Sequence, residues 1–206
     1  VNRRRDTVYI VDDDISVCRA LSLLLKSHGF KSQTFMRASD FLACKHPKSS
    51  SCLVLDIRLP DIDGLALQDA MAARKLTIPI IFITGHGDIP MTVRAMKAGA
   101  IDFLPKPFTE KKLLDAINRA IEKNKTQNKE EAEIARIQRR IKTLSPRELE
   151  VFCFVAKGML SKQIAFKRGT SLQTIKVHRG RVMQKMHAKT VTELIHFAEK
   201  AGITTT

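Results

Sequence analysis

Residues 6 to about 124 predict an α/β domain, a doubly wound five-stranded parallel sheet of order 2-1-3-4-5, and an all-α region follows it. Three observations carry this. Short β-rich runs alternate with amphipathic helical patterns over about 120 residues, as in a parallel sheet covered on both faces. Acidic, hydroxyl and basic residues stand at the ends of the strand patterns, where open α/β sheets bind their ligands. Beyond residue 144 the strand patterns stop, and short helical patterns bounded by capping residues take over.

The strand patterns are 8–12, 31–35, 52–56, 78–84 and 100–105, and the helical ones between and after them are 16–28, 38–44, 64–74, 89–98 and 110–123. Leu21, Leu24, Leu25 and His28 show the helical period on one face. From Lys123 to Lys142 the chain turns strongly polar but contains no Gly or Pro, so its composition is not that of a flexible linker. Ile134, Ile137, Ile141 and Leu144 form a narrow apolar seam, which predicts a helical linker. Pairing of that seam with a second copy stays open, since two turns are short for a coiled coil. Next, Ser145-Pro146-Arg147-Glu148 reads as an N-cap, a Pro at the first helical position and a Glu closing a capping box. Gly158 ends that helix, Ser161, Ser171 and Thr190 are expected caps of the next three, and Gly202 closes the last. The expected divisions are 1–122, a helical linker 123–143, and 144–206.

Charge is unevenly spread across these divisions. Residues 1–122 hold 18 basic and 14 acidic side chains, residues 123–206 hold 18 and 7, and all twelve aspartates lie in the first part. A basic second module suggests a polyanionic partner such as nucleic acid. The four cysteines (Cys18, Cys44, Cys52, Cys153) lack metal-ligand spacing, and because three of them sit in apolar surroundings the expected reading is small buried thiols. Val1-Asn2-Arg3-Arg4-Arg5 leads into a strand rather than an apolar signal region, and no apolar run is long enough to span a bilayer. The expected location is the cytoplasm, with no membrane partner.

YIVDDDISV, residues 9–17, ends an apolar run in three aspartates. Two unit charges 4 Å apart repel by about 4 kcal/mol at an effective dielectric of 20, so such a cluster calls for a cation. Asp12 and Asp13 end the first strand and Asp56 the third, which are neighbours in the order 2-1-3-4-5. Thr84 ends the fourth strand, and Lys106 follows the fifth. Clustered carboxylates suit a hard octahedral cation such as Mg²⁺. A carboxylate can also attack phosphorus to give an acyl phosphate, whose oxygens a lysine and a hydroxyl can hold. Asp14, beside Ile15-Ser16, is expected to cap the first helix instead.

VDDD, VLDIRLPDIDG, ITGHGD and LPKPF, in that order, resemble the receiver domain of two-component response regulators over residues 6 to about 124. The resemblance implies that Asp56 is the phospho-acceptor, that Asp12 and Asp13 lie on the Mg²⁺ side, and that the Arg58 backbone carbonyl completes the protein ligands. It implies that Thr84 and Lys106 contact the phosphoryl oxygens, that Lys106-Pro107 is a cis peptide, and that Phe103 is the switch aromatic reporting movement of Thr84. Arg58 and His86, each two residues past an anchor, would face the incoming water or donor and tune the phosphate's lifetime. Residues 86–108, HGDIPMTVRAMKAGAIDFLPKPF, resemble the FixJ and StyR branch of the NarL/FixJ family, in which the fourth helix and fifth strand pair two phosphorylated subunits. Met91, Val93, Arg94 and Lys97 would lie on or near that face; the alternative makes Met91 and Met96 core residues.

LSPRELEVFCFVAKGMLSKQIA, TIKVHRGRVMQKM and TVTELIHFAEK resemble the LuxR-type helix-turn-helix domain over residues 144–201. Residues 172–186 set Lys176, Arg179, Arg181 and Lys185 on a basic side opposite Ile175, Val182 and Met186. Such a helix can enter the major groove, where base edges are distinguishable. By family position Lys176 and Val177 face base edges, while Lys162, Thr174, His178, Arg179 and Arg181 contact the DNA backbone. Two features depart from the family: Arg168-Gly169-Thr170 stands where Leu-Gly-Ile is usual, and Gly180 interrupts the recognition helix.

The chain is thus expected to be a phosphorylation-controlled DNA-binding transcriptional regulator rather than an enzyme. Its expected partners are a sensor histidine kinase, promoter DNA and, on phosphorylation, a second copy of itself. The rival reading is a phospho-dependent protein-interaction switch whose helical domain does not bind DNA.

Overall fold

Alternating side chains along each strand dictate two separate cores, and the sheet that results has one on each face. The computed structural model describes residues 6–47, 49–85 and 89–203; the basic residues 1–5 and His86 lie outside them. β1 (Thr7–Val11), β2 (Lys31–Phe35), β3 (Ser51–Asp56), β4 (Ile80–Thr84) and β5 (Asp102–Pro105) pair in parallel in the expected order β2-β1-β3-β4-β5. The central β3 is buried along its whole length.

On one face Val8, Ile10, Cys52, Val54, Ile81 and Ile83 meet Leu21 and Leu25 of α1 (Ile15–Ser27) and Leu113, Ile117 and Ile121 of α5 (Glu110–Ile141). On the other, Tyr9, Val11, Leu53, Leu55 and Phe82 meet Phe41 of α2 (Ala38–Ala43), Leu65 and Met71 of α3 (Gly64–Ala73) and Ala95 of α4 (Ile89–Lys97). The chain divides into two compact units, Val1–Asn128 and Lys129–Thr206.

The expected helical linker is helical, but it is not a separate element: α5 does not stop near Lys123 and runs unbroken to Ile141, because no Gly or Pro interrupts the helical period between 110 and 141. Within the first unit its Asn124 is buried; the amide oxygen accepts from Ser51 N (2.9 Å), and the amide nitrogen donates to Thr77 O (3.2 Å). Three of the four expected seam residues are spent inside the second unit. Ile137 is fully buried in that unit's core, with Ile141 and Leu144 against it.

The second unit's other helices are α6 (Pro146–Ala156), α7 (Ser161–Arg168), α8 (Leu172–Met186) and α9 (Val191–Lys200). Val151, Phe152, Ile164, Ile175, Val182, Met186 and Leu194 make its core. Ser145, Ser171 and Thr190 cap α6, α8 and α9 as expected. Ser161 does not cap α7: it is the first helical residue, Leu160 stands at the cap, and Gln163 Oε1 accepts from Leu160 N at 2.8 Å. Gly180 sits exposed inside α8, and a Cβ built there meets nothing within 4 Å. Gly180→Ala is therefore expected to stabilise the second unit by about 1 kcal/mol, read as a later urea midpoint.

Candidate functional site

The carboxyl ends of β1 and β3 bring the acids together. Asp12 is fully buried, Asp56 is nearly so, Asp13 is exposed, and one ligand oxygen from each lies within 4.8 Å of the others. Lys106, one residue past β5, reaches into this cluster: its Nζ donates to Asp12 Oδ2 at 2.8 Å and to Asp56 Oδ2 at 2.7 Å. The remaining oxygens are bound by the backbone, Asp14 N to Asp12 Oδ1 (2.9 Å) and Arg58 N to Asp56 Oδ1 (3.2 Å). Burial raises the Asp12 carboxyl above its ordinary pKa, against the opposing hydrogen bonds from Lys106 and Asp14. Desolvation works against the Lys106 ammonium, but its bonds to Asp12 and Asp56 outweigh it, so its pKa lies above the ordinary lysine value. The lysine thus stays charged, a fixed cation between two acids.

An all-oxygen donor set from three carboxylates, one of them solvent-facing, fits a hard divalent cation. Asp14 stands apart from the cluster: it is the N-cap of α1, its side chain accepting from Ser16 N at 2.7 Å.

Thr84 is buried at the end of β4, and its carbonyl accepts from Lys106 N at 2.7 Å, which ties the hydroxyl-bearing strand to the lysine. The Lys106-Pro107 bond is cis. Phe103 is half-buried against the α3–α4 side of the sheet, its ring 6.2 Å from that of Phe82. Along α4, Met91 packs against the core, while Val93, Arg94, Met96 and Lys97 are exposed. Arg94 already has a partner, Asp69 Oδ2 at 3.0 Å.

Two supporting residues follow from the DIDG and PDID segments without having been singled out in the sequence. Gly64 opens α3 directly beside the end of β3: a Cβ there would stand 2.7 Å from Asp56 O and 2.9 Å from Ile57 Cα. Asp61 accepts from Ser39 N (2.9 Å) and Ala38 N (3.2 Å), so the loop after Asp56 is tied to the start of α2. Desolvation opposes its charge, but these bonds and one from the Ser39 side chain hold its pKa down to about 2.

In the second unit the expected basic face of α8 is divided. Thr174, Lys176, Val177 and Arg181 are exposed on α8, and Lys162 is exposed on α7. Arg179 instead donates to Ser161 Oγ (3.2 Å), binding α8 to α7. Lys185 donates to Glu148 Oε2 (2.6 Å) and to Thr143 O (3.1 Å), so its ammonium serves the fold. His178 is half-buried, with Nδ1 shielded and without a hydrogen-bond partner. The hydrogen bond from Lys185 and the one from Ser145 N hold Glu148 at a pKa of about 2. Helical periodicity gives the side of a helix but not the residues that face it across the core, and for that reason Arg179 and Lys185 looked like free cations.

The unusual Arg168 has a clear partner: its guanidinium meets Glu150 Oε1 at 2.8 Å, joining the end of α7 to α6 where a leucine would pack in the family pattern. Cys18 and Cys52 are buried, while Cys44 and Cys153 are partly exposed.

Comparison with known proteins agrees with this geometry. Residues 8–118 match the response regulator receiver domain, and residues 142–198 match the bacterial regulatory proteins of the luxR family. The chain is 46% identical to nodulation protein W of Bradyrhizobium diazoefficiens, over 95% of this chain and 86% of that protein. It is 40% identical to the transcriptional regulatory protein FixJ of the same organism, over 95% of this chain and 96% of that one. The solved structure of the response regulator StyR superposes with a TM-score of 0.84 at 45% identity, covering 95% of this chain and 99% of that chain. No helix among the described residues is long and apolar enough to cross a membrane. A receiver with its acids gathered at the strand ends, joined to a LuxR-type helical unit and matched along almost the whole chain, means that this protein belongs to the two-component response regulators with a LuxR-type DNA-binding domain.

Proposed function

We propose that Asp56 accepts a phosphoryl group from a sensor histidine kinase, and that the phosphorylated chain dimerises and binds promoter DNA. In this reading residues 1–122 receive the phosphoryl group, 144–206 bind DNA and 123–143 connect them. The observation that carries the reading is the Lys106 ammonium, within 2.8 Å of Asp12 and 2.7 Å of Asp56. It sits where charge grows when an Asp56 carboxylate oxygen attacks phosphorus. A P–O bond then forms as the donor's P–N bond breaks, and the freed imidazole takes up a proton.

Asp12, Asp13, Asp56 and the Arg58 carbonyl would hold Mg²⁺. When bound, the ion would neutralise the carboxylates and the phosphoryl oxygens together. Lys106 leaves its carboxylate contact to hold a phosphoryl oxygen, Thr84 holds a second, and Phe103 follows Thr84. The side chain of Arg58, which is exposed, faces the approaching donor or water. Dimer formation uses α4 and β5, with Met91, Val93, Arg94 and Lys97 on or beside the contact. Two weak DNA-binding units then act together on a repeated half-site. Turnover on external substrates is not part of this reading, and slow loss of the chain's own phosphate is. The chain works in the cytoplasm.

On DNA, Lys176 and Val177 of α8 face base edges, while Lys162, Thr174, His178 and Arg181 contact phosphates. The exposure of Lys162, Lys176, Val177 and Arg181 supports this assignment. The internal bonds of Arg179 and Lys185 favour supporting roles for those two. The test is binding of a random-sequence duplex measured across salt, with and without acetyl phosphate. Lys162→Ala is expected to lower the slope of log affinity against log salt by about 0.9, one phosphate contact. Native protein that binds DNA with no salt slope, or not at all with acetyl phosphate, would favour the protein-interaction switch instead.

A further inference from the structure

The α3–α4 contact holds a polar side chain that the chemistry above does not use. Gln68 of α3 is only 6% exposed, and its Nε2 donates to both Ala95 O (3.3 Å) and Ala98 O (3.2 Å) at the end of α4. That end is closed by a left-handed Gly99 (φ +95°), with Gly99 N donating to Met96 O and Ala100 N to Ala95 O. The carboxamide is therefore a second clasp, supplied from another helix, on carbonyls at the end of α4. The neighbouring Asp69 adds the ion pair to Arg94, but both partners of that pair are more than 60% exposed. An exposed pair is worth little, whereas a buried amide bond is costly to break. Gln68 is the stronger of the two grips. A cavity of about 160 Å³ lined by Gln68, Met71, Ala98 and Gly99 lies beside it.

We propose that Gln68 is a positioning residue that holds α4 in its unphosphorylated place and so sets how much phosphoryl signal is needed before the dimer face forms. The inference rests on the reading above, in which α4 and β5 make the dimer. A chain whose α4 is clasped this way spends part of the free energy of phosphorylation on releasing Gln68. Without the clasp, the dimer-competent arrangement is populated before any phosphoryl group arrives.

The test is sedimentation equilibrium on the full chain, with and without acetyl phosphate and Mg²⁺, for native protein, Gln68→Met and Asp69→Asn. Methionine keeps the length and bulk but cannot donate. Gln68→Met is expected to raise the association constant of the unphosphorylated chain about a hundredfold, since loss of two modest hydrogen bonds is worth about tenfold in each of the two chains that pair. Asp69→Asn is expected to raise it less than threefold. With acetyl phosphate, native and Gln68→Met chains are expected to agree within about twofold. Gln68→Asn, polar but too short to reach both carbonyls, is expected to behave like the methionine variant, so poor folding of one variant leaves the other to decide. A lowered urea midpoint with unchanged unphosphorylated association would give Gln68 a purely structural role and overturn the proposal. If the native chain itself fails to dimerise with acetyl phosphate, the reading above falls, and the proposal with it. If the native chain responds and both variants match it, only the proposal falls.

Discussion

Asp56→Asn is expected to remain monomeric in acetyl phosphate and Mg²⁺ at concentrations where the native chain gains dimer, a complete loss of response. The reason is chemical. The amide is not a competent nucleophile toward phosphorus, and among the described residues no other carboxylate occupies the same place: Asp12 is buried and bound on both oxygens, and Asp13 is exposed to solvent. The substitution also removes one like charge from a crowded cluster, while Lys106 keeps its bond to Asp12. Folding stability is therefore expected to change little, so loss of response cannot be blamed on unfolding. Sedimentation velocity with a parallel urea titration reads both quantities. Full phospho-dependent dimerisation by the variant would remove Asp56 from the centre of the mechanism.

Glu148→Ala is expected to weaken the second unit by about 2–3 kcal/mol, the sum of a lost helix cap and a lost charge-assisted bond. One nearly buried carboxylate performs both tasks, accepting from Ser145 N (2.8 Å) and from Lys185 Nζ (2.6 Å). In a domain of this size such a loss lowers the unfolding temperature by roughly 10–20 °C. It also carries a pH signature. Glu148 has its pKa held at about 2, below the ordinary value of 4.5, so its contribution is complete above the ordinary value. That contribution is lost as pH falls from about 4.5 through about 2. The native second unit should lose stability over that window, and the variant should lack this part of the slope. Lys185→Met separates fold from binding: it is expected to lose stability while keeping the native salt slope on DNA. A reduced slope would return Lys185 to the phosphate contacts.

The sheet was legible because its strands announce themselves twice, by apolar runs and by the acids and hydroxyl that end them. The cap of α1 by Asp14 could be separated from Asp12 and Asp13 for the same local reason. The strand order also gathered Lys106 with Asp12 and Asp56, but sequence could not show contacts between distant segments: that the ammonium binds both acids at once, 50 residues from Asp56 and 94 from Asp12, appears only in the folded sheet. Asp61 reaches a helix start more than twenty residues away, and Gln68 reaches carbonyls about thirty residues on. The continuity of α5 was visible in principle, since no residue between 110 and 141 breaks a helix. The change in composition near Lys123 concealed it, because a loss of apolar content alters what a helix packs against and leaves its hydrogen bonding intact.

Gly64 has a practical meaning for anyone altering this receiver. Even the smallest side chain at that position would press on the backbone that carries Asp56, so no Cβ fits there unless that backbone shifts. Asp13 and the Arg58 side chain, by contrast, face solvent at the same strand ends. A substitution at Asp13 or Arg58 therefore alters the solvent-facing side of the cluster, whereas one at Gly64 displaces the backbone of Asp56 itself.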